Sequence, residues 1–473
     1  MAFNDNREFI AALEKTGDVV RIKQEVDWDL EAGAITRRVC ERNDPAPFFE
    51  NIKDYPEGYR IFGAPMATER RFAIAMGLGP DTSFRQIQAE FANRMEHPVK
   101  PLLVKDAPCK ENVLLGEEVD LHRFPAPMIH EGDGGRYMAT WHAVVTQSAV
   151  RDWTNWGMYR SMILNRRHLA GLCEPYSHQF AIWKTYKGKN LPFAIVIGAD
   201  PLCSMIATAR AFGSQSEVDY AGALRQEPVE LVKCETNDLL VPAHAEIVLE
   251  GECISDVQVN EGPFGEYPGF STHARAPQTL YRVNAITHRN DPILTMSCMG
   301  VPVDDAAMVK SVDLGVFFKK ILQKHKMPVT DVYVPPAGAT FLAVVGVKPV
   351  YSNIASHIGR IFSANMAATY KIIVVSDDVD VFDMQQVLHV LATKCHPSRG
   401  IKISDSEIDF VGLIPYINPE ETRLRKTASV VFDCTWPGEW PKEIIPRKMS
   451  FDQAYPEEIQ QRVLGNWQNY GYK

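Results

Sequence analysis

The chain has 473 residues, 45% apolar and 23% charged, and its 50 Lys+Arg against 59 Asp+Glu leave a net charge of −9. That balance belongs to a globular protein with an ample core, and at roughly 150 residues per domain the length suggests about three domains. The acidic surface argues against a nucleic-acid partner, and no apolar run approaches the roughly 18–20 residues of a membrane span. Nine cysteines lie scattered from Cys40 to Cys434, the nearest two being Cys234 and Cys253. Without a CxxC they read as reduced thiols of a cytoplasmic protein rather than a disulfide framework or zinc site. The start, MAFNDNREF, lacks the basic-then-apolar pattern of a signal peptide.

In chain order, Asp5 and Glu8 form a D-x-x-E start, Phe9 and Leu13 share one face, and Gly17 stops the turn, which predicts a short amphipathic helix. Val19, Val20 and Ile22 predict a strand. Helices follow over Leu30–Val39 and from Ser83, where Phe84, Ile87 and Phe91 keep helical spacing. The proline-rich stretch 97–111 is expected to be a linker. From about 112 to 300 the runs become short and β-rich: YMATWHAVVTQ, MYRSMIL, PFAIVIG, HAEIVLEGE, TLYRVNAIT and DPILTMS. They predict a barrel or sandwich, interrupted by short helices after Ser177 and over Ser216–Arg225. Alternation then returns, with a helix over 304–325, FLAVVGV, a helix near 353–365, YKIIVVS, and a helix over 383–394. The tail PEEIQQRVLGNWQNYGY predicts one terminal helix. The expected division is α/β (1–105), β-rich (106–303), α/β (304–440) and helical tail (441–473).

Three groups of residues carry possible chemistry. Glu261 and Glu266 in EGPFGEYPGF would face opposite sides of a regular strand, but Gly262, Pro263 and Gly265 favour a bent loop that brings both to one place. Paired carboxylates in a dry site suit acid/base work; the plainer reading is a glycine-rich surface turn. Asn155, His178 and Glu217 lie too far apart for a local metal motif, yet if they converge their mixed O/N donors suit Mn²⁺ or Mg²⁺. Otherwise they are a turn asparagine, a core histidine and an exposed helix glutamate. Arg160 in WTNWGMYR reads as an anion clamp or a salt-bridge partner. The Cys203–Ser204–Met205 turn and Lys371 are candidate phosphate contacts.

Together NWGMYR, EVDYAGAL and EGPFGE, in that order, with LEKTGDVVRI before and IIVVSDDVDVFD after them, resemble the UbiD-type decarboxylases that use prenylated FMN, a family that includes hydroxybenzoate and ferulic acid decarboxylases. The resemblance implies an α/β fold with a central split β-barrel, similar to flavin reductases, that holds the cofactor, and a C-terminal α/β oligomerisation domain. It implies that Asn155, His178 and Glu217 bind Mn²⁺ (or Mg²⁺) bridging to the cofactor phosphate, with K⁺ near Trp153, Ser204, Met205 and Glu217. Gln179, Ser204, Met205 and Lys371 would also hold the cofactor, and Arg160, Glu261 and Glu266 would be the catalytic network, with Glu266 donating a proton from a raised pKa. Tyr267 and FDCTWPG are pocket candidates. The implied reaction is reversible decarboxylation of an aromatic or α,β-unsaturated carboxylic acid. The implied partners are a second copy or more of the chain (dimer or hexamer) and a flavin prenyltransferase that supplies the cofactor. The alternatives are a flavin-independent hydrolase using Glu261 and Glu266, and a flavin-binding assembly protein without catalysis.

Overall fold

The computed structural model describes residues 3–472 apart from 210–215, 272–274, 302, 349, 366–368 and 408–413. The first helix, Asn6–Thr16, begins where the Asp5 carboxylate accepts the Glu8 N–H and ends at Gly17, whose φ of 76° suits a residue without Cβ. Its apolar face (Phe9, Ile10, Leu13) is buried on a four-stranded sheet. In that sheet Val19–Ile22 runs parallel to Ala46–Phe49, which runs antiparallel to Arg60–Gly63. The fourth strand is Ile293–Met296, parallel to Arg60–Gly63. The expectation had grouped this last strand with the β-rich middle. Its four residues are all buried, and such a continuous apolar run does not reveal which sheet it joins. Helices Glu31–Arg42 and Phe84–Arg94 lie where expected, the second opened by a Ser83/Gln86 capping box. The expected linker is docked: Leu102–Leu103 pairs in parallel with Glu230–Leu231.

The middle of the chain forms a nine-stranded sheet that curls into a half-barrel. Its frame is the antiparallel pair Ile247–Glu261 and Ala276–His288, with register shifts after Glu250 and Cys253 that bend the sheet. Leu191–Ile197 pairs with Ile247–Cys253, His142–Gln147 with Ala194–Ile197, and Thr154–Gly157 with His142–Gln147 beyond them. On the other side lie His168–Gly171, Ser161–Asn165 and Tyr137–Ala139. Side chains alternate between two cores, as strand geometry demands. Val144, Ile195, Leu249 and Val283 point into the barrel, whereas Val145, Ala194, Val196 and Val248 meet Leu202, Met205, Ile206, Ala221 and Leu224. These last come from helices Pro201–Ile206 and Glu217–Arg225.

Helix Asp305–Lys324 leads into a five-stranded sheet in the order Val329–Tyr333, Leu342–Val347, Lys371–Ser376, Lys426–Cys434, Ile401–Glu407. The expected helices appear as Ile354–Ala364 and Met384–Thr393. Arg85 on the N-terminal helix joins Asp331 at 2.5 Å and Asp380 at 2.7 Å, so the first and last α/β units are in contact. The tail folds as Phe451–Ala454 and Glu457–Gly465, neither of which buries a residue in this chain. All nine cysteines are free thiols, and among the described residues no helix is long and apolar enough to cross a membrane.

Two local features yield tests of this packing. A Cβ on Gly33 would lie 2.2 Å from the Ile129 carbonyl oxygen, so helix Glu31–Arg42 rests directly on the backbone that leads to residue 130. Gly33→Ala should therefore destabilise the protein by about 1–3 kcal/mol, read as a lowered melting temperature. His142 is wholly buried, its Nε2–H donated to the Tyr159 carbonyl at 2.9 Å, and burial pushes its pKa from 6.5 to about 4. The unfolded chain takes up a proton that the folded one refuses. The resulting stabilisation is complete above pH 6.5 and fades as pH falls toward 4. Urea unfolding at pH 7 and pH 5 should show about 2 kcal/mol more acid destabilisation in the wild type than in His142→Gln.

Candidate active site

The long strand Ile247–Glu261 delivers Glu261 to its end, where the chain turns through Gly262 (φ 81°) into the loop that carries Glu266. Arg160 sits between strands Thr154–Gly157 and Ser161–Asn165. Its Nε and Nη2 donate to the two oxygens of Glu261, both at 2.9 Å, and its Nη1 meets Glu266 Oε1. The three side chains are only 10%, 2% and 11% exposed. The forked contact needs a guanidinium; a lysine ammonium would lose it. Removing the arginine would leave two carboxylates buried without their cation, a loss of about 3–5 kcal/mol.

Tyr137 completes the shell of Glu261, donating its hydroxyl to Oε1 at 2.6 Å. Burial first, and then the adjacent Glu261 charge, hold this phenol far above its ordinary pKa, so it is a neutral donor. Phe264 covers the network, with its ring centroid 4.8 Å from the Arg160 guanidinium carbon and 4.3 Å from the Tyr137 ring. The glycine-rich surface turn considered from sequence is thus a buried Glu–Arg–Glu cluster. Tyr137 escaped the sequence reading because a tyrosine opening a strand has no local mark of function.

Asn155, His178 and Glu217 come together from three elements. Asn155 is buried in strand Thr154–Gly157, His178 opens helix His178–Lys184 behind its cap Ser177, and Glu217 opens helix Glu217–Arg225. Glu217 Oε2 accepts the Trp156 N–H at 3.0 Å, which ties it beside Asn155, and Oε1 lies 3.6 Å from His178 Nδ1. Among the described residues the buried amide nitrogen of Asn155 has no hydrogen-bond partner. Among the described residues no three His, Cys, Asp or Glu side chains are placed to hold a metal ion by themselves, so a cation here would take one carboxylate, one imidazole, one amide and donors from outside the chain. That donor set fits Mn²⁺ or Mg²⁺ held together with a phosphate.

The remaining candidates divide. Trp153 stacks edge-on against His178, ring centroids 5.4 Å apart. Ser204 and Met205 are buried in helix Pro201–Ile206, where the sequence reading had a turn. Asp200 caps that helix by accepting the Leu202 N–H at 3.0 Å, and pairs with Arg225 at 2.8 Å. Gln179 is fully buried and turned into the barrel core, donating to the Tyr281 hydroxyl; among the described residues its Oε1 has no hydrogen-bond partner. Lys371 opens its strand in the C-terminal sheet with Nζ 4.0 Å above the Tyr416 ring, and burial lowers its pKa. Tyr267 lies under Lys310 Nζ at 5.6 Å from the ring centroid.

Comparisons with known proteins identify the family of the chain. Three domains of 3-octaprenyl-4-hydroxybenzoate carboxy-lyase match in order: the N-terminal domain over 10–91, the Rift-related domain over 102–302 and the C-terminal domain over 314–434. The pyrrole-2-carboxylic acid decarboxylase of Pseudomonas aeruginosa is 36% identical over 488 residues, spanning 99% of this chain and 98% of the relative. The open form of Sedimentibacter hydroxybenzoicus vanillic acid decarboxylase superposes with a TM-score of 0.85 at 30% identity, over 99% of this chain and 100% of that one. The UbiD-class enzyme HmfF of Pelotomaculum thermopropionicum in complex with FMN gives 0.82 at 26% identity, over 94% and 97%. Its evolved dimeric form in complex with prFMN gives 0.80 at 26%, over 94% and 97%. With family domains in order and a relative above a third identical across both full lengths, the chain belongs to the UbiD family of carboxy-lyases.

Proposed function

We propose that this carboxy-lyase reversibly decarboxylates an aromatic or α,β-unsaturated carboxylic acid with prenylated FMN bound beside Arg160, and that Glu266 moves the proton. The observation that carries this reading is the buried guanidinium held between Glu261 and Glu266. The relatives act on pyrrole-2-carboxylic and vanillic acids, which supports an aromatic or heteroaromatic substrate.

Loss of CO₂ from an sp² carbon leaves an electron pair that no side chain accepts well, and prenylated FMN, when bound, supplies the sink for it. Asn155, His178 and Glu217 would hold Mn²⁺ or Mg²⁺ against its phosphate. K⁺ near Trp153, Ser204 and Met205 would neutralise further charge, with Lys371 as an additional contact; Gln179, turned into the barrel core, is not part of this set. Arg160, fixed by the fork on Glu261 and by Tyr137 behind it, orients Glu266 and keeps positive charge where the carboxylate arrives. Glu266 then gives its proton to the carbon that has lost CO₂ and recovers one from solvent; in the carboxylation direction the same oxygen takes that proton back.

Two features bear on partners and place. The tail from Ser450 onward exposes Phe451, Tyr455, Leu464, Trp467 and Tyr472, which supports burial against further copies of the chain in a dimer or hexamer. The cofactor implies a flavin prenyltransferase as supplier, and free thiols fit the cytoplasm. A flavin-free two-carboxylate hydrolase is not favoured, since one guanidinium binds both carboxylates and the family is one of carboxy-lyases. Glu266→Gln should keep its metal and flavin by metal analysis and absorbance while turnover falls about 10²–10⁴-fold. Wild-type kinetics in that variant would contradict the assignment.

A further inference from the structure

The loop that carries Glu266 is fastened both from within and from a neighbouring segment. Within it, the Glu266 N–H donates to the Phe270 carbonyl at 3.0 Å, the Gly269 N–H donates to the Glu266 carbonyl at 2.9 Å, and Gly265 bridges to Ser271. The neighbouring segment is HEGDGGRY (130–137), which the function above does not use beyond Tyr137. Asp133 Oδ1 accepts the Gly265 N–H at 3.0 Å, one residue before Glu266. The Gly134 N–H donates to the Pro263 carbonyl at 2.7 Å. The two backbones touch so closely that a Cβ on Gly134 would lie 2.0 Å from the Gly262 oxygen, and one on Gly265 would lie 2.6 Å from the His130 ring.

His130 anchors this cradle in turn. Its Nδ1 faces Asp133 Oδ2 at 3.1 Å and its Nε2 faces the Met299 carbonyl at 2.8 Å. The ring thereby bridges Asp133 to the segment that follows strand Ile293–Met296. The Asp133 side chain is 2% exposed and that of His130 24%, so the pair is largely shielded from water. The Asp133 carboxylate thus receives three contacts, from the Gly265 N–H, the His130 N–H and the His130 ring. It is a fixed post, and the loop is fastened to it next to the proposed proton donor.

We infer that Asp133, oriented by His130, is a positioning residue that sets where Glu266 stands against Arg160. The inference rests on the proposed role of Glu266, but the positioning itself is measurable without it. Flavin-loaded wild type, Asp133→Ala, Asp133→Asn, Glu266→Gln and the Asp133→Ala/Glu266→Gln double variant would be compared by amide hydrogen exchange over 261–270 and by kcat and KM. Asp133→Ala should speed exchange in that peptide alone and lower kcat about 10–100-fold with KM within twofold, as expected for a displaced reacting group. Asp133→Asn, whose amide oxygen still accepts the Gly265 N–H, should recover most of both, and Asp133→Ala should cost nothing further once Glu266 is Gln. Loop exchange in Asp133→Ala equal to wild type would overturn the inference, as would equal losses in Asp133→Ala and Asp133→Asn. If Glu266→Gln keeps wild-type turnover, the proton-donor reading falls alone, and loop exchange still decides the role of Asp133.

Discussion

A guanidinium buried between two carboxylates constrains everything around it. Burying such charges costs several kcal/mol per ion, and the attraction offsets that only when geometry is good and remaining hydrogen-bonding capacity is filled. The chain meets both demands for Glu261, with a two-point fork from Arg160 and a third hydrogen bond from Tyr137. Meeting them requires that strand Ile247–Glu261 run long enough to project Glu261 past the barrel rim, and that the turn at Arg160 open toward it. The strand pairs with Ala276–His288 up to its last residue, which fixes that projection. Glu266, by contrast, meets Arg160 through Nη1 alone among the described residues and stands on a loop. Of the two carboxylates it is the one proposed to exchange a proton.

The neighbouring donors belong to the same construction. Strand Thr154–Gly157 presents Asn155 and, through the Trp156 N–H, pins Glu217; three residues beyond the strand the chain supplies Arg160. One short stretch therefore links the proposed cation-holding residues to the proposed proton-moving ones. This also reconciles an anionic substrate and cofactor with a net charge of −9. The acidity is a property of the surface, whereas the site depends on one buried arginine and the cations its donors would recruit.

Much of the fold was legible because its signals are local. Asp5 with Glu8, Ser83, Ser177 and Ser216 each mark a helix start that the structure bears out. Strands Ala46–Phe49 and Arg60–Gly63, each four residues and almost wholly buried, carry no period of their own and went unread. Helix Pro201–Ile206 passed for a turn because an Asp-Pro start followed by six buried residues has no polar face to show helical spacing. In the site, the order of three motifs nominated Arg160, Glu261 and Glu266, but the residues alone did not. Arg160 and Glu261 are 101 positions apart, and nothing local announces their meeting. Tyr137 and Asp133 act across 124 and 132 positions, and so emerge only from the folded chain.

The central claim is that Glu266 carries the proton to and from the carbon that loses CO₂. Its most direct test is solvent exchange on the decarboxylated product in D₂O, with flavin-loaded wild type and Glu266→Gln followed by NMR at that carbon. The account predicts steady replacement of that one C–H by C–D with the wild type and none with the variant. Equal exchange by both proteins would contradict it.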